Sequence, residues 1–325
     1  MKRATINDVA SAAGVSRQTV SRALNDKGEI DGATKQRVLD AARELGYRPS
    51  RFARGLVRPD TTTIGLVVPD LLNPFFTEVA AAALEAARSR GWHVVVHATA
   101  DSAEEERGTL KVIGSQVDAV VGYFTLAETE LDRHTRGMPV VLIGRDANAG
   151  RFSSIVIDGR QGVRAAVDHL VAAGHRHIGM LDHANRAGPS ERHAWFCEAM
   201  AAHGLTTAVT GAQQSVDGGT EALTTLLDAH PGLTAVFTFN DIIAIGALRS
   251  ARRRGLKVPD DLAVVGFDGL QLGTVVDPAL TSVALDTKRI GALAVEQAAR
   301  LLDGEQPLLG DELVVTAALT VRESA

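Results

Sequence analysis

From Thr63 onward, short apolar runs alternate with longer stretches rich in Ala and Leu, and this alternation constrains the 325-residue chain more than any other feature. The runs are Ile64–Val68, Val94–His97, Ala119–Val121, Val140–Ile143, Ile155–Ile157, Ile178–Leu181, Ala235–Thr238 and Leu262–Phe267. Runs this short, bounded by polar or turn-forming residues, read as strands. Glu78–Arg90 and Gly162–Ala173 are typical of the helical stretches between them. Such alternation builds doubly wound parallel sheets, whose ligands collect at the C-terminal ends of the strands. The polar residues that follow the runs are therefore candidates: Asp70 and Asn73, Arg145 and Asp146, Asn240 and Asp241, and Asp268. Asp241 reads better as a helix cap than as a ligand contact, and Asp268, in Gly-Phe-Asp-Gly, has turn stabilisation as its rival role.

The first 60 residues follow a different period. Ile6, Val9, Ala10 and Ala13 recur at the spacing of one buried helix face. Gly14 permits a tight turn, and Ser16 is placed to cap a second helix on which Val20 and Leu24 face inward. A third helix, capped by Asp31, spans about Ala33 to Leu45, with Val38, Leu39, Ala42 and Leu45 as its inner face. Three short helices with this turn form a helix-turn-helix. Arg17, Gln18 and Arg22 point outward from the second helix, where a recognition helix meets base edges. The competing reading is a small amphipathic helix pair with solvated arginines.

Charge sorts the same way. Residues 1–60 carry 12 basic and 7 acidic side chains, against 22 and 32 in the remainder. A basic head on an acidic body confines nucleic-acid contact to the N-terminus, and so modest an excess suits two copies acting together. Cys197 is the single cysteine, which excludes an intrachain disulfide and a cysteine-rich zinc site. His175, His177 and His183 lack clustered carboxylate partners, so no metal is expected. P-loop, G-x-S-x-G, H-E-x-x-H and G-x-G-x-x-G patterns are absent, so neither an enzyme nor a cofactor is expected. With neither a signal peptide nor a membrane span in the sequence, the expectation is a cytoplasmic protein.

Between head and body runs Arg48-Pro49-Ser50-Arg51-Phe52-Ala53-Arg54-Gly55-Leu56-Val57-Arg58-Pro59. Its prolines bracket two possible helical turns, too short to be stable alone. A plain basic linker is the alternative.

Taken together, the segments T-I-N-D-V-A-S-A-A-G-V-S-R-Q-T-V-S-R-A-L-N, A-A-R-E-L-G-Y-R-P, T-I-G-L-V-V-P-D-L-L-N-P-F-F, H-L-V-A-A-G-H-R-H-I-G, F-N-D-I-I-A-I-G-A-L and V-P-D-D-L-A-V-V-G-F-D resemble the LacI/GalR family of transcriptional regulators over essentially the whole length. The resemblance implies an N-terminal all-α helix-turn-helix head plus an α/β body of two doubly wound parallel-sheet lobes, periplasmic-binding-protein-like. It divides the chain into a DNA-binding domain at 1–48, a hinge at 49–60 and an effector-binding and dimerisation body at 61–325. Lobe 1 takes about 61–160 and 289–317, and lobe 2 about 161–288 and 318–325. Lobe crossings are expected near Asp158–Gly162, Asp286–Ile290 and Thr316–Leu319.

The family's roles, carried over residue by residue, make Arg17, Gln18 and Arg22 base readers. Thr5, Ser16, Thr19, Ser21, Asn25 and Thr34 become phosphate contacts that fix register. Leu56 matches a hinge leucine that wedges into the minor groove, with Arg54 and Arg58 on flanking phosphates. Asn73, Phe75, Arg145, Asp146, Arg192, Gln214, Asn240 and Asp268 match effector-binding positions. Carboxylates, amides and an arginine on facing strand ends suit the vicinal hydroxyls of a sugar. A purine or nucleoside, or a vestigial pocket, is the alternative, and Gln214 stands where purine-binding relatives carry an aromatic residue. Trp195 is read as core or as a border of the pocket. The implied partners are double-stranded operator DNA, a small-molecule effector and a second copy of the chain, since no leucine heptads that would support a tetramer follow Val321.

Overall fold

The structure, a computed structural model, describes residues 6–24, 30–45, 61–114, 116–135, 137–145, 152–184, 188–305 and 313–325. The head comprises α1 (Ile6–Ala13), α2 (Arg17–Leu24) and α3 (Gly32–Glu44). Val9, Val20 and Val38 are fully buried at its centre, closed in by Ala23, Ala41 and Ala42. Gly14 turns the chain between α1 and α2 at φ +65°, a conformation in which a β-carbon would be strained. Ser16 Oγ accepts from Thr19 N at 3.0 Å and Asp31 Oδ2 from Thr34 N at 3.1 Å, each satisfying a free N–H of the helix it starts. One expectation needs correcting. The inner face of α3 is Val38, Ala41 and Ala42, while Leu39 is half-buried and Leu45 is 41 % exposed. The helix stops at Glu44, so Leu45 is no longer carried round to the core.

Among the described residues the body holds two sheets of six strands. The first contains β1 (Thr63–Val68), β2 (His93–Ala98), β3 (Ala119–Gly122), β4 (Val140–Ile143), β5 (Ser153–Asp158) and β11 (Val314–Thr316), in the order β11-β5-β4-β3-β1-β2, all parallel. The second contains β6 (Ile178–His183), β7 (Ala208–Ala212), β8 (Ala235–Thr238), β9 (Ala263–Asp268), β10 (Thr281–Ala284) and β12 (Ala318–Thr320), in the order β12-β10-β9-β8-β6-β7. Only β12 runs antiparallel, against β10. Helices covering the sheets are α4 (Pro74–Ser89), α5 (Ala103–Ile113), α6 (Glu128–Thr135), α7 (Arg160–Ala172), α8 (Glu191–Ala202), α9 (Val216–Ala229), α10 (Asp241–Arg253) and α11 (Thr287–Leu302). Central strands β3, β4, β8 and β9 are buried at every residue, which is why they read as unbroken apolar runs.

The order of connection reverses between β1 and β3 in one sheet and between β6 and β8 in the other, opening a crevice at the C-terminal strand ends of each. The chain passes between the sheets after Asp158, between Ala284 and Thr287, and at Ala317. Backbone hydrogen bonds anchor these passages. Ala317 N donates to Asp158 O at 3.0 Å, and Leu285 N donates to Asp268 O at 3.1 Å.

Candidate functional site

On α2 the inward residues Val20 and Ala23 leave Arg17, Gln18 and Arg22 exposed on the opposite side. The short polar residues beside them are engaged locally. Ser16 Oγ and Thr19 Oγ1 share a hydrogen bond of 2.9 Å. Thr34 Oγ1 donates to Asp31 and accepts from Arg37 at 3.2 Å. The Thr34 N–H and hydroxyl hold the Asp31 carboxyl below the usual carboxylate range. Ser21 is half-buried. Thr5, Asn25, Arg54, Leu56 and Arg58 lie outside the described residues.

The two crevices face one another across a cavity of about 510 Å³. Asn73, Phe75, Arg145, Arg192, Gln214, Asn240 and Asp268 all line it, whereas Asp146 lies outside the described residues. The walls differ in character. From the first sheet come Phe75, Phe76 and Tyr123, in mutual edge-to-face contact with centroids 5.1 to 6.3 Å apart. Asn73 there is committed to its helix, accepting from Phe75 N at 3.1 Å with Pro74 at the first helical position. From the second sheet come Arg192, Asp268, Gln214 and Asn240, with Trp195 and Phe239 among them, while Asp101 and Arg145 add charge on the first sheet's side.

Arg192 is the centre of that second wall. Ser190 caps α8, which places Arg192 in its first turn. The guanidinium lies 3.7 Å from the Phe267 ring centroid and 4.4 Å from that of Phe239, and it donates to the Phe239 carbonyl. Its Nη2 is 3.3 Å from Asp268 Oδ1, an ion pair in which that buried oxygen accepts no hydrogen bond. Asp268 is 3 % exposed and sits at φ +114°, a backbone region that a side chain with a β-carbon rarely adopts. Burial, helped by the charges of Asp241 and Glu78, pushes its carboxyl up to about 8 against the pull of Arg192. Burial raises the Tyr123 phenol as well, and its hydroxyl is enclosed without a hydrogen-bond partner. A ligand that supplies a donor to Asp268 and a partner to Tyr123 would satisfy both groups.

Asp241 is not the cap the sequence suggests. Asn240 caps α10, its Oδ1 accepting from Ile243 N at 3.0 Å. Asp241, fully buried, accepts from Ser282 Oγ at 2.6 Å and Leu270 N at 2.7 Å, bracing the turn that follows Asp268. Burial pushes its carboxyl up to about 6.

Sequence reasoning passed over Asp101, Thr125 and His183 as cavity residues, although each lies at or just beyond the end of a strand. Thr125 is held by Glu106 of α5, buried and accepting from the Thr125 N–H and hydroxyl and from Leu126 N at 2.7 to 3.1 Å. No spacing rule links residues 106 and 125. Trp195 borders the cavity.

Residues 5–50 match the family model for bacterial regulatory proteins of the lacI family, and residues 167–325 match a periplasmic binding protein-like domain. The ribose operon repressor of Halalkalibacterium halodurans is 33 % identical over 325 residues, covering 98 % of this chain and 96 % of its own. The chain belongs to the LacI family. Among solved structures, a LacI family transcriptional regulator from Arthrobacter sp. FB24 in complex with lactose has a TM-score of 0.75 at 30 % identity, covering 81 % of this chain and 99 % of that one. The lac repressor dimer bound to operator and the anti-inducer ONPF has a TM-score of 0.73 at 25 % identity, covering 99 % of each chain.

As a LacI-family member the chain is a DNA-binding transcriptional regulator and not an enzyme. Its helix-turn-helix head and two-sheet α/β body are those of the family. No helix among the described residues is long and apolar enough to cross a membrane, and none of their His, Cys, Asp and Glu side chains cluster in a set of three that could hold a metal.

Proposed function

We propose that this regulator is a repressor that binds a near-palindromic operator in the cytoplasm as a homodimer, with affinity set by a sugar or sugar derivative in the cavity. The carrying observation is the Arg192–Asp268 pair, with the Arg192 guanidinium against the rings of Phe239 and Phe267 and the Gln214 and Asn240 amides in the same cavity wall. Planar groups of this kind make paired hydrogen bonds to neighbouring hydroxyls, while the opposing aromatic wall takes the apolar face of a sugar ring. The relatives support the reading: one is a ribose operon repressor, one is seen in complex with lactose, and one is a dimer bound to operator.

In this reading residues 1–48 read DNA through Arg17, Gln18 and Arg22, with Thr5, Ser16, Thr19, Ser21, Asn25 and Thr34 on phosphates. Residues 49–60 form the hinge that carries Arg54, Leu56 and Arg58 into the minor groove. Residues 61–325 form the body, with lobe 1 at about 61–160 and 289–317 and lobe 2 at about 161–288 and 318–325. Asn73, Phe75, Arg145, Asp146, Arg192, Gln214, Asn240 and Asp268 contact the effector. Its differential affinity for the two lobe arrangements changes operator affinity.

A nucleoside is the second reading, favoured by one observation, the Phe75–Phe76–Tyr123 cluster that could stack on a base. A thermal-shift panel of sugars, polyols, nucleosides and purines on the full-length chain separates the two. A ligand at 100 times its Kd adds about 2.7 kcal/mol, a rise of several degrees. A sugar hit supports the first reading, a nucleoside hit replaces it with the second, and no hit from any class overturns both.

A further inference from the structure

His183 ends β6 inside the cavity wall, 7 % exposed, with its ring 5.2 Å from that of Phe239. Its Nε2 lies 3.1 Å from Gln214 Nε2, and Gln214 Oε1 accepts from Asn240 Nδ2 at 2.9 Å. Asn240 Oδ1 in turn accepts from Ile243 N at the start of α10. These bonds have one direction. A backbone N–H can only donate, so the cap requires the Asn240 oxygen at that end and presents its NH2 to Gln214. The Gln214 oxygen must then face Asn240, which leaves the Gln214 NH2 facing His183. An amide NH2 can only donate, so His183 Nε2 must accept and carry no proton.

We propose that His183 is a positioning residue of the cavity. Held neutral as the Nδ1–H tautomer by this relay from the α10 N-terminus, it aims the Gln214 carboxamide of the cavity wall, and its protonation undoes that aim. The importance for regulation rests on reading the cavity as the effector site. A protonated Nε2 would oppose the Gln214 NH2 donor to donor. Turning the Gln214 amide over would only move the conflict to Asn240, whose orientation the helix fixes.

Other charged groups border the same ring. Arg192 of α8 packs on the same Phe239 ring as His183. Of the carboxylates nearby, Asp182 of β6 already accepts from the Ser190 N–H and hydroxyl and lies 3.6 Å from His193 Nδ1. Asp268 of β9 is paired with Arg192, and Asp241 of α10 is turned to Ser282 and Leu270. Among the described residues, Glu191 of α8 and, from the opposite sheet, Asp101 and Arg145 also line the cavity.

The test is long-range ¹H–¹⁵N correlation of the histidine rings in the full-length chain without any sugar, with His183 assigned by His183→Gln. The expected result at pH 7.5 is an unprotonated Nε2 and a protonated Nδ1. On acidification the Gln214 side-chain amide signals should shift with the same midpoint as His183. Asn240→Asp still caps α10 but can no longer donate to Gln214, so that amide turns over and the His183 tautomer switches to Nε2–H. Gln214→Glu should force the same switch, because a carboxylate offers no donor. An Nε2–H tautomer in the unsubstituted chain, a Gln214 amide that ignores His183, or tautomers unmoved in both folded variants would overturn the proposal. Because no sugar is present, an empty thermal-shift panel would sink the effector reading while leaving this result standing.

Discussion

Asp268 combines a left-handed backbone, near-complete burial and an arginine 3.3 Å away, so both its geometry and its ionisation are held by neighbours far off in the chain. Its folded carboxyl lies near 8, above the ordinary value of 3.8, so the folded state binds more protons than the unfolded between those limits. This group therefore makes stability fall as pH rises from about 4 to about 8. Asp268→Asn should flatten that fall, read as urea midpoints across the range, and an unchanged slope would count against it. Arg192→Met should cost less at pH 6, where Asp268 is largely neutral, than at pH 9, where the carboxylate that Arg192 stabilises would be left unpaired or forced to take up a proton. At the higher pH the loss should approach the 3–5 kcal/mol or so of a broken buried pair. Equal losses at both values would contradict the raised carboxyl. That both residues deserved notice was readable from strand-end position and motif. The packing of Arg192 on Phe239 and Phe267 was not, because no local pattern says which aromatic rings will flank a guanidinium.

At the scale of elements, local period predicted most of what formed. Eight strand runs and the three head helices occur near their expected places, because a buried central strand or an amphipathic helix is written in consecutive residues. The strands that sequence reasoning missed, β7, β10, β11 and β12, are short and mostly near sheet edges, and β7 alternates exposed with covered residues. Their pairing supplies what their composition lacks. Helices α9 and α10 meet through glycines, and this contact gives a sharp prediction. A β-carbon on Gly246 would lie 2.2 Å from Val216 O and 2.8 Å from Gly219 Cα, both backbone atoms that cannot yield cheaply. Gly246→Ala should destabilise the chain by about 1–3 kcal/mol. A urea midpoint equal to that of the unsubstituted protein would show that the helices separate more easily than their packing implies.

For the whole molecule the question is how cavity and head communicate. Glu78 of α4 reaches across to the second sheet, accepting from Gln271 N at 3.4 Å and from Thr287 Oγ1 at 3.3 Å. Gln271 lies three residues beyond Asp268, and Thr287 opens the helix that follows one passage between the sheets. Glu78→Ala should loosen this clasp by about 1 kcal/mol, the worth of ordinary partly exposed hydrogen bonds. Small-angle scattering should then show a larger radius of gyration, and an identical curve would mean that the clasp does not hold the lobes. At the other end of the signal, Leu56→Ala should lose operator affinity and DNA bending while leaving effector binding intact. Unchanged bending would sink the wedge assigned to that leucine.

The sequence by itself determined the head's helix-turn-helix, the βα alternation of the body, the family, and the positions that could carry chemistry. Each of these is recorded in residues close together along the chain: a heptad-like face, an apolar run, a cap, a polar residue just past a strand. Tertiary structure alone decided which of those residues meet. It placed Arg192 against Asp268 across 76 positions of sequence, made Asp241 a brace rather than a cap, hung Thr125 on Glu106, and set His183, at the end of a strand, on a relay that begins at a helix N-terminus. Those pairings depend on strand order and on burial, which strip water from groups that each sequence segment, taken alone, would leave solvated.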